Sequence, residues 1–392
     1  MPIPAPLSAA MPLPESLAGH RPPAVSVTVT DSLGPKSSAE WTRLVGGGKH
    51  SPSDGDVAQL PAWARLRGTV GFTARYVLVH SGPDLVAGAQ LLERRLPLLG
   101  RVGYLPYGPV VADGFSGRTS VTAALADALT DLARTRLRML FVQPPPGGEA
   151  ISAALLDSGF RRSTADVAPG RSLRLDLRQD SAELRAGLSK RLRTWTNRWS
   201  SRGVSVRIGT DADLDLLATL VADTGEHQGF APVSASYLRT LVHELGRDAV
   251  LFVGELDGTP VASALFTRCG GTLKLRFAGM NRSDEVGHAN VPAAVQWHAI
   301  GWAKQAGLRW FDFGGISAEA AELLALGAGR GELRGVDRFK ASFGGQLHHC
   351  PPAVELISSR LLRAGYDLSR RWPAGRRAIE LAKSALRTGR TR

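Results

Sequence analysis

Ala249-Val-Leu-Phe-Val-Gly-Glu255, then Asp257-Gly258, then Val261-Ala-Ser-Ala-Leu-Phe-Thr267 is the stretch that decides the architecture. Two apolar, β-prone runs flank a dipeptide that tolerates positive φ at both positions, so the segment reads as an antiparallel hairpin with a tight turn. The first half of the chain echoes it: Arg75-Tyr-Val-Leu-Val-His80 and Leu85-Val-Ala-Gly-Ala-Gln-Leu-Leu-Glu93 flank Ser81-Gly-Pro-Asp84. The elements after each hairpin also match. The second hairpin leads into a strand over 272–278, a helix over 291–306 and the buried strand Leu308-Arg-Trp-Phe-Asp-Phe313, halted by Gly314-Gly315. The first leads into the extended stretch Val102-Gly-Tyr-Leu-Pro-Tyr-Gly-Pro-Val-Val111, a helix over 120–136 and the strand Arg138-Met-Leu-Phe-Val142, stopped by Pro144-Pro-Pro146. In that helix Leu125, Leu129 and Leu132 share one face. Hairpin, strand, helix, strand occurs twice, an internal duplication of a mixed sheet with helices on its faces, hence an α/β (α+β) fold.

Around this frame the spacing predicts a short helix over 151–158, a strand over 173–177 and one long basic helix over 181–202. Val204-Ser-Val-Arg-Ile208 reads as a strand, and 212–224 and 235–245 as amphipathic helices. Residues 1–50, rich in Pro, Ser, Ala and Gly with little apolar periodicity, are expected to be disordered. The domains then fall at 51–170 and 171–345, with 346–392 a basic helical segment packing on the first domain.

The 392 residues are 43% hydrophobic and 21% charged, a globular balance. No apolar run reaches the roughly 18 residues of a membrane span, and no basic stretch precedes an uninterrupted apolar core, so a cytoplasmic location is expected. Cys269 and Cys350 are too few for a disulfide framework or zinc cluster. His348-His349-Cys350 cannot all point at one ion, so no metal is expected. The net charge of +13, with arginines dense over 185–202 and 360–392, favours a polyanionic partner: RNA, a phosphorylated substrate or anionic lipid. Arg43-Leu-Val-Gly46-Gly-Gly48 has the spacing of a pyrophosphate cradle, but it follows no core strand.

The element order of the second half matches an acyltransferase domain of the GNAT type, and several motifs narrow this. Asp312-Phe-Gly-Gly-Ile-Ser317 and Gly335-Val-Asp-Arg-Phe-Lys-Ala-Ser-Phe-Gly-Gly345 resemble those of the Fem-type aminoacyltransferases, which build peptidoglycan cross-bridges from aminoacyl-tRNA. Gln59-Leu-Pro-Ala-Trp63 resembles the family's opening motif. Tyr104-Leu-Pro-Tyr-Gly-Pro-Val-Val-Ala-Asp113 is similar to its first-domain signature, and Thr224-Gly-Glu-His-Gln-Gly-Phe230 with Tyr237 to a further segment. The resemblance spans about Gln59 to Gly345. It implies two tandem GNAT-like domains, no cofactor or metal, and aminoacyl-tRNA as co-substrate.

The resemblance also implies roles. Lys340 aligns with the lysine that stabilises the oxyanion, Phe339 with its aromatic neighbour, and Asp113 with an acidic position that orders the incoming amine or accepts its proton. Arg67 stands where the family has a lysine near the acceptor's phosphates, and Arg193 where it has an arginine in a basic helix. Tyr104, Tyr237, Arg276 and Phe277 complete the acceptor side, although Arg276-Phe277 and His227 depart from the usual residues. The expected activity is transfer from aminoacyl-tRNA to an acceptor amine on a phosphorylated or lipid-linked cell-wall precursor, or on a small natural product. The alternatives are an acyl-coenzyme A-dependent N-acyltransferase of the same fold, and a non-catalytic protein binding RNA or membrane. The arginines of 360–392 suit a peripheral contact with anionic membrane.

Overall fold

The computed structural model describes residues 24–46, 55–97, 99–165, 168–228, 232–373, 375 and 377. The strands of the first half are β1 (Val25–Thr30), β2 (Thr73–Ser81), β3 (Asp84–Leu96), β4 (Gly100–Pro106), β5 (Val110–Val111), β6 (Met139–Gln143) and β7 (Arg161–Arg162). Those of the second are β8 (Arg171–Asp176), β9 (Val204–Ile208), β10 (Ala249–Leu256), β11 (Thr259–Cys269), β12 (Thr272–Met280), β13 (Trp310–Gly315) and β14 (Gln346–His349), with β15 (Val354–Ile357) after them. Helices α1 (Pro35–Gly46), α2 (Pro61–Gly68), α3 (Arg118–Thr135) and α4 (Glu149–Asp157) accompany the first half. The second has α5 (Ser181–Ala186), α6 (Lys190–Thr196), α7 (Leu214–Gln228), α8 (Ala235–Leu245), α9 (Asp284–Ala289), α10 (Val291–Gln305), α11 (Ala318–Ala325) and α12 (Gly335–Ala341). Helix α13 (Arg360–Arg371) follows β15.

The duplication is real. In the first sheet β2, β3 and β4 are successively antiparallel and β4 lies parallel to β6 across α3. In the second, β10, β11 and β12 are antiparallel and β12 lies parallel to β13 across α10. The Asp257-Gly258 turn has φ of 50° and 77°, the left-handed pair that the dipeptide favours.

One strand crosses back between the sheets. After β7 the chain leaves the first sheet, and β8 inserts into the second between β13 and β14. After β14 it returns, and β15 inserts between β6 and β7. The first sheet is therefore completed by a strand from beyond the second. A third apolar cluster joins the halves, with Trp41, Leu66 and Tyr76 packing in one body with Leu214, Leu238, Leu251 and Leu265. Folding of one half is coupled to the other through both features.

The structure corrects three expectations. Residues 24–46 are not disordered: β1 pairs with β2 over six positions, and α1 buries Trp41, Leu44 and Val45. Trp41 Nε1 donates to Gln59 O at 2.7 Å. The i, i+3, i+4 spacing of those three residues was the readable sign; residues 1–23 and 47–54 lie outside the described residues. The single basic helix over 181–202 is broken, because Ser189 caps a new helix by accepting from Leu192 N, while Leu184, Leu188 and Leu192 all face the core. The segment 346–392 is not wholly helical: it begins with β14 and β15, one in each sheet.

Candidate active site

The feature that sets the second sheet apart is a gap between two strands. β12 and β13 pair through Thr272–Trp310, Leu273–Phe311 and Lys274–Asp312, and then part. Farther along, β13 is held on its other side, Gly315 pairing with Ser172 of β8. β12 continues on β11, with a bulge at Leu265/Phe266 that bends the pairing. Backbone donors and acceptors of Leu275–Ala278 and of Phe313–Gly315 therefore line a half-buried opening where an extended ligand could pair.

Gly314, at φ 77°, keeps this opening clear: a Cβ there would stand 3.3 Å from Leu275 O and 4.0 Å from Lys340 Nζ. Lys340 reaches in from α12, and its ammonium donates to Gly315 O. Burial pushes the Lys340 pKa down from the ordinary lysine value, with Asp337 and Asp312 pulling it partly back. A ladder of rings fixes α12 to the sheet. Phe339 meets Phe343 edge-on at 5.4 Å, Phe343 lies 5.2 Å from Phe313, and Phe313 4.8 Å from Phe311.

On its other side α12 borders a cleft of about 530 Å³, where Phe339 and Arg338 face Arg191 of α6, Arg330 and the start of α10 at Asn290 and Ala293. Three arginines and no carboxylate line it, which favours a polyanion. Arg193, the position expected to bind substrate, is not in this lining; its Nη1 donates to Ala186 O on the exposed surface. Arg191, two residues earlier, occupies the cleft instead.

A second group of residues gathers where the halves meet. Arg67 Nη1 donates to Tyr237 Oη at 3.4 Å, and the Arg67 guanidinium lies 4.7 Å from the Phe72 ring centre. Arg94 shares that ring at 5.6 Å, and its Nη1 is buried with no hydrogen-bond partner. Tyr104 packs beside Phe72 and Trp63, and Phe277 in the same cluster as Trp63 and Tyr237. Arg276 lies over Trp63 at 5.5 Å and donates to Asp56 Oδ1 at 2.6 Å and to Thr267 Oγ1 at 2.8 Å. Five expected residues, Arg67, Tyr104, Tyr237, Arg276 and Phe277, are thus brought together. Asp113 is not among them. It stands half-exposed on a turn, its carboxylate 3.9 Å from Arg118 Nη1.

Sequence reasoning missed the buried charges that link this group to the gap. Lys274 Nζ donates to Asp56 Oδ2 at 3.0 Å and lies 4.2 Å from the Tyr107 ring centre. Burial would raise the Asp56 pKa, but Arg276 and Lys274 outweigh it and hold the carboxyl well below its usual range. Asp312 accepts from Arg174 Nε at 2.9 Å, Ser172 Oγ at 3.0 Å and Gly314 N at 2.8 Å. Burial opposes its charge, while Lys274 and Arg174 keep it ionised. The readable signal was Lys274 and Arg276 at i and i+2 on one strand: two cations on one face of a core strand demand a buried anion. Gln59 of the opening motif proves to be a scaffold residue, its Nε2 donating to Pro106 O at 2.7 Å and its Oε1 accepting from Gln90 N at 2.8 Å. Among the described residues no group of three His, Cys, Asp or Glu is placed to hold a metal ion, and no helix is long and apolar enough to cross a membrane.

A family model described as an acetyltransferase (GNAT) domain matches residues 183–322, the half that carries the gap. The lipid II:glycine glycyltransferase of Staphylococcus aureus is 26% identical over 222 residues, covering 53% of this chain and 52% of that protein. The enzyme of the same name from Staphylococcus saprophyticus is 24% identical over 224 residues, 54% of each. The chain thus spans about half the length of the curated relatives it matches. Among solved structures, that of FemX superposes with a TM-score of 0.68 at 18% identity, covering 86% of this chain and 99% of that one. A tandem GNAT protein from the clavulanic acid biosynthesis pathway gives 0.50 at 15% identity, covering 86% and 99%. The chain is Fem-like in sequence and is built on the duplicated GNAT acyltransferase fold.

Proposed function

We propose that this chain is a tRNA-dependent aminoacyltransferase, moving an aminoacyl group from a charged tRNA to an acceptor amine on a peptidoglycan precursor or a small amino-bearing natural product. The observation that carries the proposal is the position of α12, which presents Phe339 to the arginine-lined cleft and Lys340 to the gap between β12 and β13. The cleft would take the phosphates at the 3′ end of the donor, and the gap its ester. The relatives named as lipid II:glycine glycyltransferases support a cell-wall acceptor.

In the reaction the acceptor nitrogen attacks the ester carbonyl carbon, and the carbonyl oxygen takes up negative charge. Collapse of that intermediate expels the ribose oxygen, which leaves with the proton the nitrogen gives up, so an ester becomes an amide. Lys340, already donating to the Gly315 carbonyl, would turn its ammonium to the oxyanion inside a site where solvent screens little. Arg67 and Arg94 on the Phe72 ring would hold acceptor phosphates, with Tyr237 and Arg276 beside them.

The acetyltransferase domain match favours acyl-coenzyme A as the rival donor. A pyrophosphate would need a helix N-terminus after β12. That of α9 carries Asp284 and Glu285, whereas α10 has no acid in its first turn and begins at the arginine-lined cleft, so the cleft suits the phosphates of either donor. Incubating the protein with an amine acceptor and either a radiolabelled aminoacyl-tRNA pool or labelled acetyl-coenzyme A decides between them. The proposal expects label to move from the tRNA only, in an RNase-sensitive reaction; transfer from the coenzyme A thioester alone would overturn it.

A further inference from the structure

An amphipathic surface helix ordinarily turns its apolar stripe to the core and its charges to water. Helix α13 does the reverse. Its inward side is polar and aromatic: Arg363 Nη1 donates to Glu355 Oε1 at 2.7 Å, Arg370 Nη2 to Thr164 O at 2.8 Å, and the Tyr366 ring lies 6.2 Å from that of Phe141. No residue of the helix is buried. Its outward side carries Leu361, 85% exposed, and Leu368, 55% exposed, two turns apart, and Trp372, 64% exposed, closes the row where the helix ends. The small residues Ala364 and Gly365 lie between them, and Arg360 and Arg371 flank the row. The helix's acid, Asp367, is paired with Arg363 at 3.2 Å.

We propose that the outer face of α13 docks on an anionic lipid bilayer, with Leu361, Leu368 and Trp372 in the headgroup boundary and Arg360 and Arg371 on lipid phosphates. Three large apolar side chains left in water, on a helix anchored by its charged side, mark a surface that a partner covers. A tryptophan at the end of such a row is the side chain best suited to the boundary, with an apolar body and one N–H donor. Charge complementarity chooses the partner: two exposed arginines flank the row, the helix's acid is paired with Arg363, and the chain carries a net charge of +13. The exposed Arg161 and Arg162 of β7, in the sheet on which α13 packs, add to the same field. The inference goes beyond the proposed reaction and stands whichever donor is used.

The test is co-sedimentation of the full chain with vesicles of phosphatidylcholine alone or mixed with phosphatidylglycerol. The wild-type protein should bind the mixed vesicles and release as salt rises, with little binding to phosphatidylcholine alone. L361S/L368S/W372S should weaken binding by about a hundredfold, and R360A/R371A by about tenfold or more, at unchanged melting temperature because none of these side chains is buried. Failure of the wild type to bind, or equal binding by wild type and both variants, would overturn the proposal. So would a concentration-dependent dimer abolished by L361S/L368S/W372S without vesicle binding, which would make the face a contact between copies of this chain. Should the serine variant not fold, R360A/R371A alone gives the same decision.

Discussion

The two halves share a topology and differ at one junction. In the first sheet the parallel strands β4 and β6 stay paired through five positions, from Val102–Met139 to Pro106–Gln143, whereas β12 and β13 part after three. The first junction is also sealed from outside: Gly108 N donates to Gln143 O, and Gln59 Nε2 to Pro106 O. In the second, the Gly315 carbonyl takes a lysine ammonium as its partner. A ligand can displace a side chain from a carbonyl far more readily than it can unzip a strand. At this junction one copy of the unit is sealed, and the other keeps an opening with a cation at its edge.

The comparison can be broken first at the level of folding. Removing residues 350–392 takes β15 from between β6 and β7, and the expected result is loss of any cooperative thermal transition. A truncated chain that melts sharply would show that the returning strand is dispensable. Next in size is Asp56→Asn, which strands the Lys274 and Arg276 charges between the halves. It should cost about 3–5 kcal/mol in chemical denaturation, and a loss under about 1 kcal/mol would deny the network its role. The acid limb of stability checks the same group. Because its folded pKa is held below the ordinary 3.8, Asp56 stabilises fully above that value and loses its contribution as pH falls below it. That dependence should shrink in the variant.

Smaller effects sharpen the difference at the gap itself. Gly314→Val should strain a residue at φ 77° and push a side chain toward Leu275 O and Lys340, lowering transfer by about tenfold or more while donor binding in the cleft survives. Unchanged turnover would place the chemistry elsewhere. The pH profile is subtler. Burial lowers the Lys340 pKa, so a reaction needing its ammonium should decline with rising pH below the ordinary lysine value of 10.5. Lys340→Arg, always charged, should move that decline upward.

Much of this was legible in the residues. The Asp257-Gly258 hairpin, its echo at Ser81–Asp84 and the helix with Leu125, Leu129 and Leu132 report local preferences and periodicity, which a single sequence carries openly. The return of β15 to the first sheet was not legible, because it looks like any short apolar strand and pairing partners are a property of the whole fold. The same limit hid the gap. Gly314-Gly315 marked a stop, but only the neighbouring register shows where β12 leaves β13. Of the site residues, Arg67 and Tyr237, from separate motifs, lie together where the halves meet, and Arg276, a departure from the family pattern, lies beside them. Arg193 and Asp113 sit on exposed surfaces, because position along a motif does not say which way a helix face or turn is directed.

The most direct test compares wild type with Lys340→Ala in single-turnover transfer from labelled aminoacyl-tRNA. An ammonium that stabilises the oxyanion should be worth about 10²–10³-fold in rate, with melting temperature and donor affinity little changed. Transfer at a near-normal rate by the folded variant would contradict the account.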